Sequence, residues 1–180
     1  MSEAAIFLRH GESTYNVRGL CNDDPAIAVP LTERGRRQIE AVADRLVDRR
    51  IDLVIVSQLP RARESATIVN RRHGAPVRID HRLDDRRSGF EGRTVAEYLA
   101  AREDDPARFA AHGGESYAGL KARVVAALSD IASLPERLVL VVSHHEVLQV
   151  VHGHLTGLPD EASRNFAIAN GEFFEHGLRR

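Results

Sequence analysis

Ala4-Ala5-Ile6-Phe7-Leu8-Arg9-His10-Gly11-Glu12-Ser13 decides the reading of this chain. Five apolar residues in unbroken succession predict a short strand buried on both faces, as in a parallel sheet covered by helices. The run stops in Arg9-His10-Gly11, which delivers a guanidinium and an imidazole to the edge of that sheet. Open α/β folds place their ligands at the carboxyl edge of their strands. A cation beside an imidazole attracts an anionic group there, most simply a phosphate. The tripeptide recurs at Arg72-His73-Gly74, so it needs context. The second copy follows a helical stretch and reads as a helix end closed by Gly.

Two further runs, Leu53–Val56 and Leu138–Val142, repeat the pattern of the first. Helical periodicity lies between them. Thr32 to Val47 carries Ile39, Val42, Ala43 and Leu46 on one face, with Thr32 as its N-cap. Ala62–Val69 predicts a second helix and Tyr117–Leu134 a third, the latter striped with Leu120, Val124, Ala127, Leu128 and Ile131. A fourth runs from about His145 to Leu155. Val77–Ile79, Phe166–Ala169 and Glu172–Leu178 are weaker strand candidates. Helices alternating with buried strands predict an α/β fold, a three-layer α/β/α sandwich around a mostly parallel sheet. Residues 1–180 are expected to form one domain, with a substrate-covering excursion at about 80–115 marked by Gly89-Phe90-Glu91-Gly92 and His112-Gly113-Gly114.

Composition narrows the function classes. A net charge of −1 leaves no bulk electrostatic pull toward nucleic acid or acidic membranes. No apolar run approaches the roughly 20 residues of a membrane helix, and Ala4–Leu8 is too short for a signal peptide. The single cysteine, Cys21, rules out an intramolecular disulfide and predicts a reducing, cytoplasmic setting. Lys121 is the only lysine, so the basic charge is otherwise arginine.

Three strand ends then finish in chemistry. Arg9-His10 follows the first, with Asn16 expected on the loop beyond. Ser57-Gln58-Leu59-Pro60-Arg61 follows the second and places Arg61 at a helix start. Ser143-His144-His145 follows the third, ahead of the fourth helix. In a parallel sheet these ends point one way, so Arg9, His10, Arg61 and His144 converge. Two arginines fork onto phosphate oxygens. The helix opening near His145 turns its positive end toward the same place. One histidine can accept a phosphoryl group and the other can stabilise its charge. The acidic loop Leu83-Asp84-Asp85-Arg86 supplies a carboxyl to protonate a leaving oxygen. No metal is expected. There is no Cys pair and no His-Glu-x-x-His helix, arginines repel a cation, and His152 and His154 do not share a helix face.

Leu8-Arg9-His10-Gly11-Glu12-Ser13 with Asn16, Pro30-Leu31-Thr32-Glu33-Arg34-Gly35, Ser57-x-Leu59-x-Arg61-Ala62, Gly113-Gly114-Glu115-Ser116 and Val142-Ser143-His144 together resemble the histidine phosphatase superfamily. Within it the chain is similar to the metal-independent, phosphoglycerate-mutase-like branch. The matches run in the family's order across nearly the whole chain. The resemblance implies that His10 is the nucleophile, forming a phosphohistidine. It implies that Arg9, Arg61, Asn16 and His144 bind the phosphoryl group. Asp85 stands where the family usually has Glu and is implied as the proton donor, with Asp84 as the alternative. Ser57 and Ser143 are expected to orient loop backbone, and Ser57 is also a candidate ligand contact. His145 stands where a small Gly is common, and is a candidate phosphate-binding residue at the pocket rim.

The resulting expectation is a cofactor-free phosphatase that hydrolyses a small phosphomonoester without a metal. The chain is short for a mutase, and an open site admits water to the phosphohistidine. A phosphoglycerate-mutase-type phosphotransferase and a non-catalytic phosphate-binding domain are the alternatives. Arg86, following the acid as in mutases, keeps a phospho-acid substrate open. Substrate selection is expected from the Val17–Val29 loop and the 80–115 excursion; the oligomeric state is left open, with Phe173-Phe174 as core or interface.

Overall fold

The computed structural model describes residues 2–102 and 108–178, so part of the predicted excursion, 103–107, lies outside the described residues. Five strands form one sheet in the order β3-β2-β4-β1-β5: β1 Ala4–Arg9, β2 Leu53–Val56, β3 Val77–Ile79, β4 Leu138–Ser143 and β5 Phe173–Gly177. The first four are parallel, and β5 joins β1 antiparallel. The expected mostly parallel α/β sandwich is therefore the observed fold.

Alternation along the central strands divides the core in two. Ala5, Phe7, Ile55, Val139 and Val141 face one layer, made by α5 (Tyr117–Ala132) and α6 (His145–Thr156). Ile6, Leu8, Val54, Val56, Leu140 and Val142 face the other, made by α2 (Glu33–Arg45) and α3 (Pro60–Asn70). Because both faces are covered, the strands stay apolar at every position instead of alternating with polar residues. Three short α-helices, α1 Thr14–Arg18, α4 Val95–Ala101 and α7 Asp160–Arg164, and a 3₁₀ turn at His81–Leu83 complete the described elements.

Two local expectations, for Asn16 and for Phe166–Ala169, are corrected. Asn16 lies on α1, not on a loop, because Ser13 and Asn16 close a capping box that starts that helix. Phe166–Ala169 is not a strand. Phe166 instead stacks on His152 at 3.8 Å between ring centroids and meets Phe174 edge-on, so the segment is held by ring packing rather than by a ladder. The excursion contains α4, opened by a Thr94–Glu97 capping box. The second Arg-His-Gly copy sits past the far end of α3. There Gly74 takes φ +63° and its N–H closes onto Asn70 O at 2.8 Å. The eleven-residue helix from Pro60 to Asn70 rises about 15 Å and removes His73 from the edge that carries His10.

Candidate active site

The register of the sheet sets the site. Arg9 pairs with Ser143 at the carboxyl ends of β1 and β4, and Val56 pairs with Val142 one position earlier. His10 N–H then bonds Ser143 O at 3.1 Å and Ser57 N–H bonds Val142 O at 3.2 Å, so three chain segments leave the sheet side by side. The loop after β1 is fixed by close approach to α2. A Cβ on Gly35 would lie 2.0 Å from Glu12 O, and one on Gly11 would lie 2.4 Å from Gly35 O. Only glycine admits this contact, which explains the spacing of Gly11 and Gly35 in physical terms.

A cavity of about 340 Å³ opens over these ends, lined among others by Arg9, His10, Asn16, Arg61, Asp85 and His145. His10 is 2% exposed. Its Nδ1 lies 2.7 Å from Gly11 O, an acceptor, so Nδ1 carries the proton. Its Nε2 therefore offers a lone pair, and it accepts Arg61 Nε–H at 3.1 Å. Burial and the neighbouring Arg61 and Arg9 hold the imidazole well below its ordinary pKa, which keeps that lone pair available.

Arg61 spans the centre. Its Nη1 and Nη2 donate to Asn22 Oδ1 and Asn22 O, and Nη2 also reaches Asp85 Oδ2 at 2.9 Å. Asn22 is in turn held by Glu91, whose carboxylate also takes the N–H groups of Asp23 and Asp24. Asp85 is the most central acid: its side chain is 28% exposed, and Oδ2 lies 3.6 Å from His144 Nδ1. Loss of water around it raises its pKa, against the pull of Arg61, which favours the protonated form that an acid catalyst needs.

Asp84 faces elsewhere. It is extended (φ −66°, ψ 155°), so consecutive side chains project to opposite sides. Its Oδ1 accepts Ser57 Oγ–H and Gln58 N–H at 2.8 Å each, and its Oδ2 accepts Gln58 Nε2 at 2.6 Å. Asp84 is thus engaged with the β2–α3 turn and away from His10. Ser57, having given its proton to Asp84, accepts from His144 Nε2–H at 2.8 Å. His144 is fully buried behind the pocket surface, its ring 5.1 Å from that of His10. Its Nδ1 has no hydrogen-bond partner and points toward Asp85. Ser143 Oγ–H ties the strand end to Leu83 O at 2.7 Å.

Arg9 lines the cavity while its Nη1 donates to Ile168 O at 2.8 Å. Asn16 commits its Oδ1 to Ser13 N–H and to Asn170 Nδ2, which leaves its own amide NH₂ for a ligand. His145, half-buried, opens α6 at the rim beside Glu146; His144 caps that helix without a side-chain bond to its amides, so the positive helix end lies at the cavity. The arrangement can bind a dianion, offer an imidazole lone pair to it and hand a proton to its leaving oxygen. Among the described residues no cluster of His, Cys, Asp and Glu could hold a metal ion.

Sequence reading did not single out Asn22, Ser65, Tyr98, Arg102 or Glu146. Ser65 takes Gly11 N–H at 3.1 Å, and its spacing of four from Arg61 on one helix was a usable signal. The others come together only when the loop after α1 and the excursion fold over the same cavity.

Comparison with known proteins agrees with the geometry. The model of the histidine phosphatase superfamily (branch 1) matches residues 5–177. A glucosyl-3-phosphoglycerate phosphatase of Mycobacterium tuberculosis is 33% identical over 172 residues, covering 86% of this chain and 75% of its own length. A protein of Erwinia tasmaniensis named "Probable phosphoglycerate mutase GpmB" is 32% identical over 172 residues, covering 91% and 79%. Among solved structures, the alpha-ribazole phosphatase from Shigella flexneri superimposes with a TM-score of 0.84 at 29% identity, covering 96% of this chain and 89% of that one. A mycobacterial glucosyl-3-phosphoglycerate phosphatase in complex with VO3 gives 0.80 at 30% identity, covering 97% and 90%.

Proposed function

Because the chain belongs to branch 1 of the histidine phosphatase superfamily, we propose that it hydrolyses a small phosphomonoester through a phosphohistidine at His10. The observation that carries this reading is the unprotonated Nε2 of a buried His10, set beside Arg61, which also reaches Asp85. In the first half-reaction His10 Nε2 forms a bond to phosphorus, the ester P–O bond breaks, and protonated Asp85 gives its proton to the departing alkoxide. In the second, the Asp85 carboxylate takes a proton from water as that water attacks phosphorus, which releases inorganic phosphate and restores His10. Arg9, Arg61 and the Asn16 amide bind the phosphoryl oxygens, and His144, neutral in the free site with a lone pair at Nδ1, joins them as a donor once a bound dianion favours its protonation. His145 and the α6 amides add positive potential at the rim.

Phosphoryl transfer between positions of a phosphoglycerate is the second reading, favoured by the identity with the GpmB protein. Return of the phosphoryl group to an acceptor needs exclusion of water, whereas the Asp85 side chain in this pocket is 28% exposed. A reducing cytoplasm is the setting that fits the free thiol of Cys21. Phosphate release should be measured on a panel of phosphomonoesters with a chelator present, alongside mutase assays on 3-phosphoglycerate with and without 2,3-bisphosphoglycerate. Hydrolysis that survives the chelator and is lost in His10→Ala supports the reading. Full activity in that variant overturns it.

A further inference from the structure

The wall of the cavity away from His10 carries charges that the phosphoryl chemistry does not use. Glu146, the second residue of α6, takes Arg102 Nη1–H at Oε1 over 2.6 Å and holds Oε2 3.7 Å from Arg86 Nη1. All three side chains line the cavity. Arg86 is 2% exposed at its side chain, and its other arms are spent on backbone: Nε on Glu115 O and Nη2 on Phe109 O, each at 2.8 Å. Its Nη1 is a buried donor with no hydrogen-bond partner. Both guanidinium groups stand over the Tyr98 ring, at 5.9 Å for Arg86 and 4.8 Å for Arg102.

Two such arginines would suit a carboxylate or a second phosphate on a substrate. Glu146 already supplies the carboxylate. A second anion on the substrate would have to enter beside the Glu146 carboxylate, which repels it and competes with it for the same guanidinium groups. The neighbouring wall is carbon: Leu20, Val95 and Leu99 line the same cavity. Val95 and Leu99 are four apart on α4, share a face, and stay 39% and 46% exposed.

We propose that Glu146 is a specificity-determining residue which, by hydrogen-bonding Arg102 and placing its charge 3.7 Å from Arg86 Nη1, turns the site against substrates with a second anionic group and toward phosphate monoesters of uncharged alcohols that set an apolar face on Val95 and Leu99. The proposal rests on the phosphatase reading above. Hydroxyls of such an alcohol find Arg102 as donor and Glu146 as acceptor at the polar side of the wall. The assignment separates two chemistries that one phosphate pocket could serve.

The test compares kcat/KM for benzyl phosphate and for 3-phosphoglycerate, measured as phosphate release, in the wild type, Glu146→Gln and Leu99→Ser. The wild type should favour benzyl phosphate by about tenfold or more. Glu146→Gln keeps the size of the side chain and an oxygen for Arg102 but drops the charge. It should raise 3-phosphoglycerate hydrolysis about tenfold and shift the ratio of the two esters accordingly. Leu99→Ser, at an exposed position that tolerates the change, should lower benzyl phosphate hydrolysis roughly fivefold and leave the ratio shifted toward 3-phosphoglycerate. A wild type that prefers 3-phosphoglycerate overturns the proposal, as does a Glu146→Gln or a Leu99→Ser enzyme with an unshifted ratio. If the wild type hydrolyses no phosphomonoester at all, the phosphatase reading falls instead.

Discussion

Arg61 donates its Nε–H to His10 Nε2 at 3.1 Å, so the central cation of the pocket rests directly on the lone pair that would attack phosphorus. The same guanidinium reaches Asp85 and both oxygens of Asn22. A lysine ammonium at this position is one point charge and cannot span three partners in a plane. Arg61→Lys should lower kcat/KM by about 10²–10³-fold and weaken competitive inhibition by inorganic phosphate. Steady-state kinetics with added phosphate measures both, and near wild-type values would remove Arg61 from phosphoryl binding.

Asp84 and Asp85 are neighbours with separate roles, and paired variants resolve them. Asp85→Asn should cut turnover by about 10²–10⁴-fold while phosphate still binds. Burial raises the Asp85 pKa, and the acid works only when protonated. Wild-type turnover should therefore fall as pH rises through that raised pKa, and the variant should lose this limb. Asp84→Asn removes the charged acceptor of Ser57 and Gln58 instead. It should cost about 1.5–3 kcal/mol of stability and leave the pH limb in place. If Asp84→Asn abolishes the limb and Asp85→Asn does not, the two assignments are reversed.

His10 and His144 are both held neutral, first by burial and then by nearby cations, below their ordinary value of 6.5. The unfolded chain then binds more protons than the folded one once the pH drops under 6.5. Their contribution is complete above that value and is lost progressively below it, by about 1.4 kcal/mol per pH unit for each histidine. Thermal melts between pH 7.5 and 5.5 should show a falling Tm, with a shallower slope in His10→Gln. Equal slopes in the two proteins would contradict the burial of a neutral His10. Asp85, raised rather than lowered, acts in the opposite direction: its contribution is complete below its ordinary 3.8 and is lost as the pH rises through the raised value.

Gly35 has no room for a side chain against Glu12 O. Gly35→Ala must push α2 away from the loop that carries His10. A stability loss of about 1–3 kcal/mol is expected, with reduced kcat as the loop shifts. Chemical denaturation alongside kinetics reads both, and unchanged values would show that the contact is not tight.

Much of this architecture was legible before the fold. β1, β2 and β4 announce themselves because helices cover both sheet faces, which keeps Ile6 and Phe7 apolar alike. Their alignment then brings Arg9, Arg61 and His144 around His10. β5 is a half-exposed edge strand, so its pattern is weak, and Phe166 shows how an aromatic can pack without pairing. Helix α4 buries only Tyr98 and has no stripe to read, although Thr94-x-x-Glu97 was a usable start signal. Asp84 and Asp85 could not be separated in sequence, because the side each faces depends on where the extended loop lies over β2. The Glu146–Arg102 pair joins α6 to the excursion and exists only in three dimensions.

The central claim is that phosphorus passes through His10. Rapid quenching of the enzyme during turnover, followed by peptide mass spectrometry, measures this directly. An acid-labile phosphoryl group should sit on the peptide containing His10 in the wild type, accumulate further in Asp85→Asn if dephosphorylation is slowed more than phosphorylation, and be absent in His10→Ala. Turnover in the wild type with no phosphohistidine at any quench time, or a phosphoryl group mapped to His144 or His145, would contradict the account.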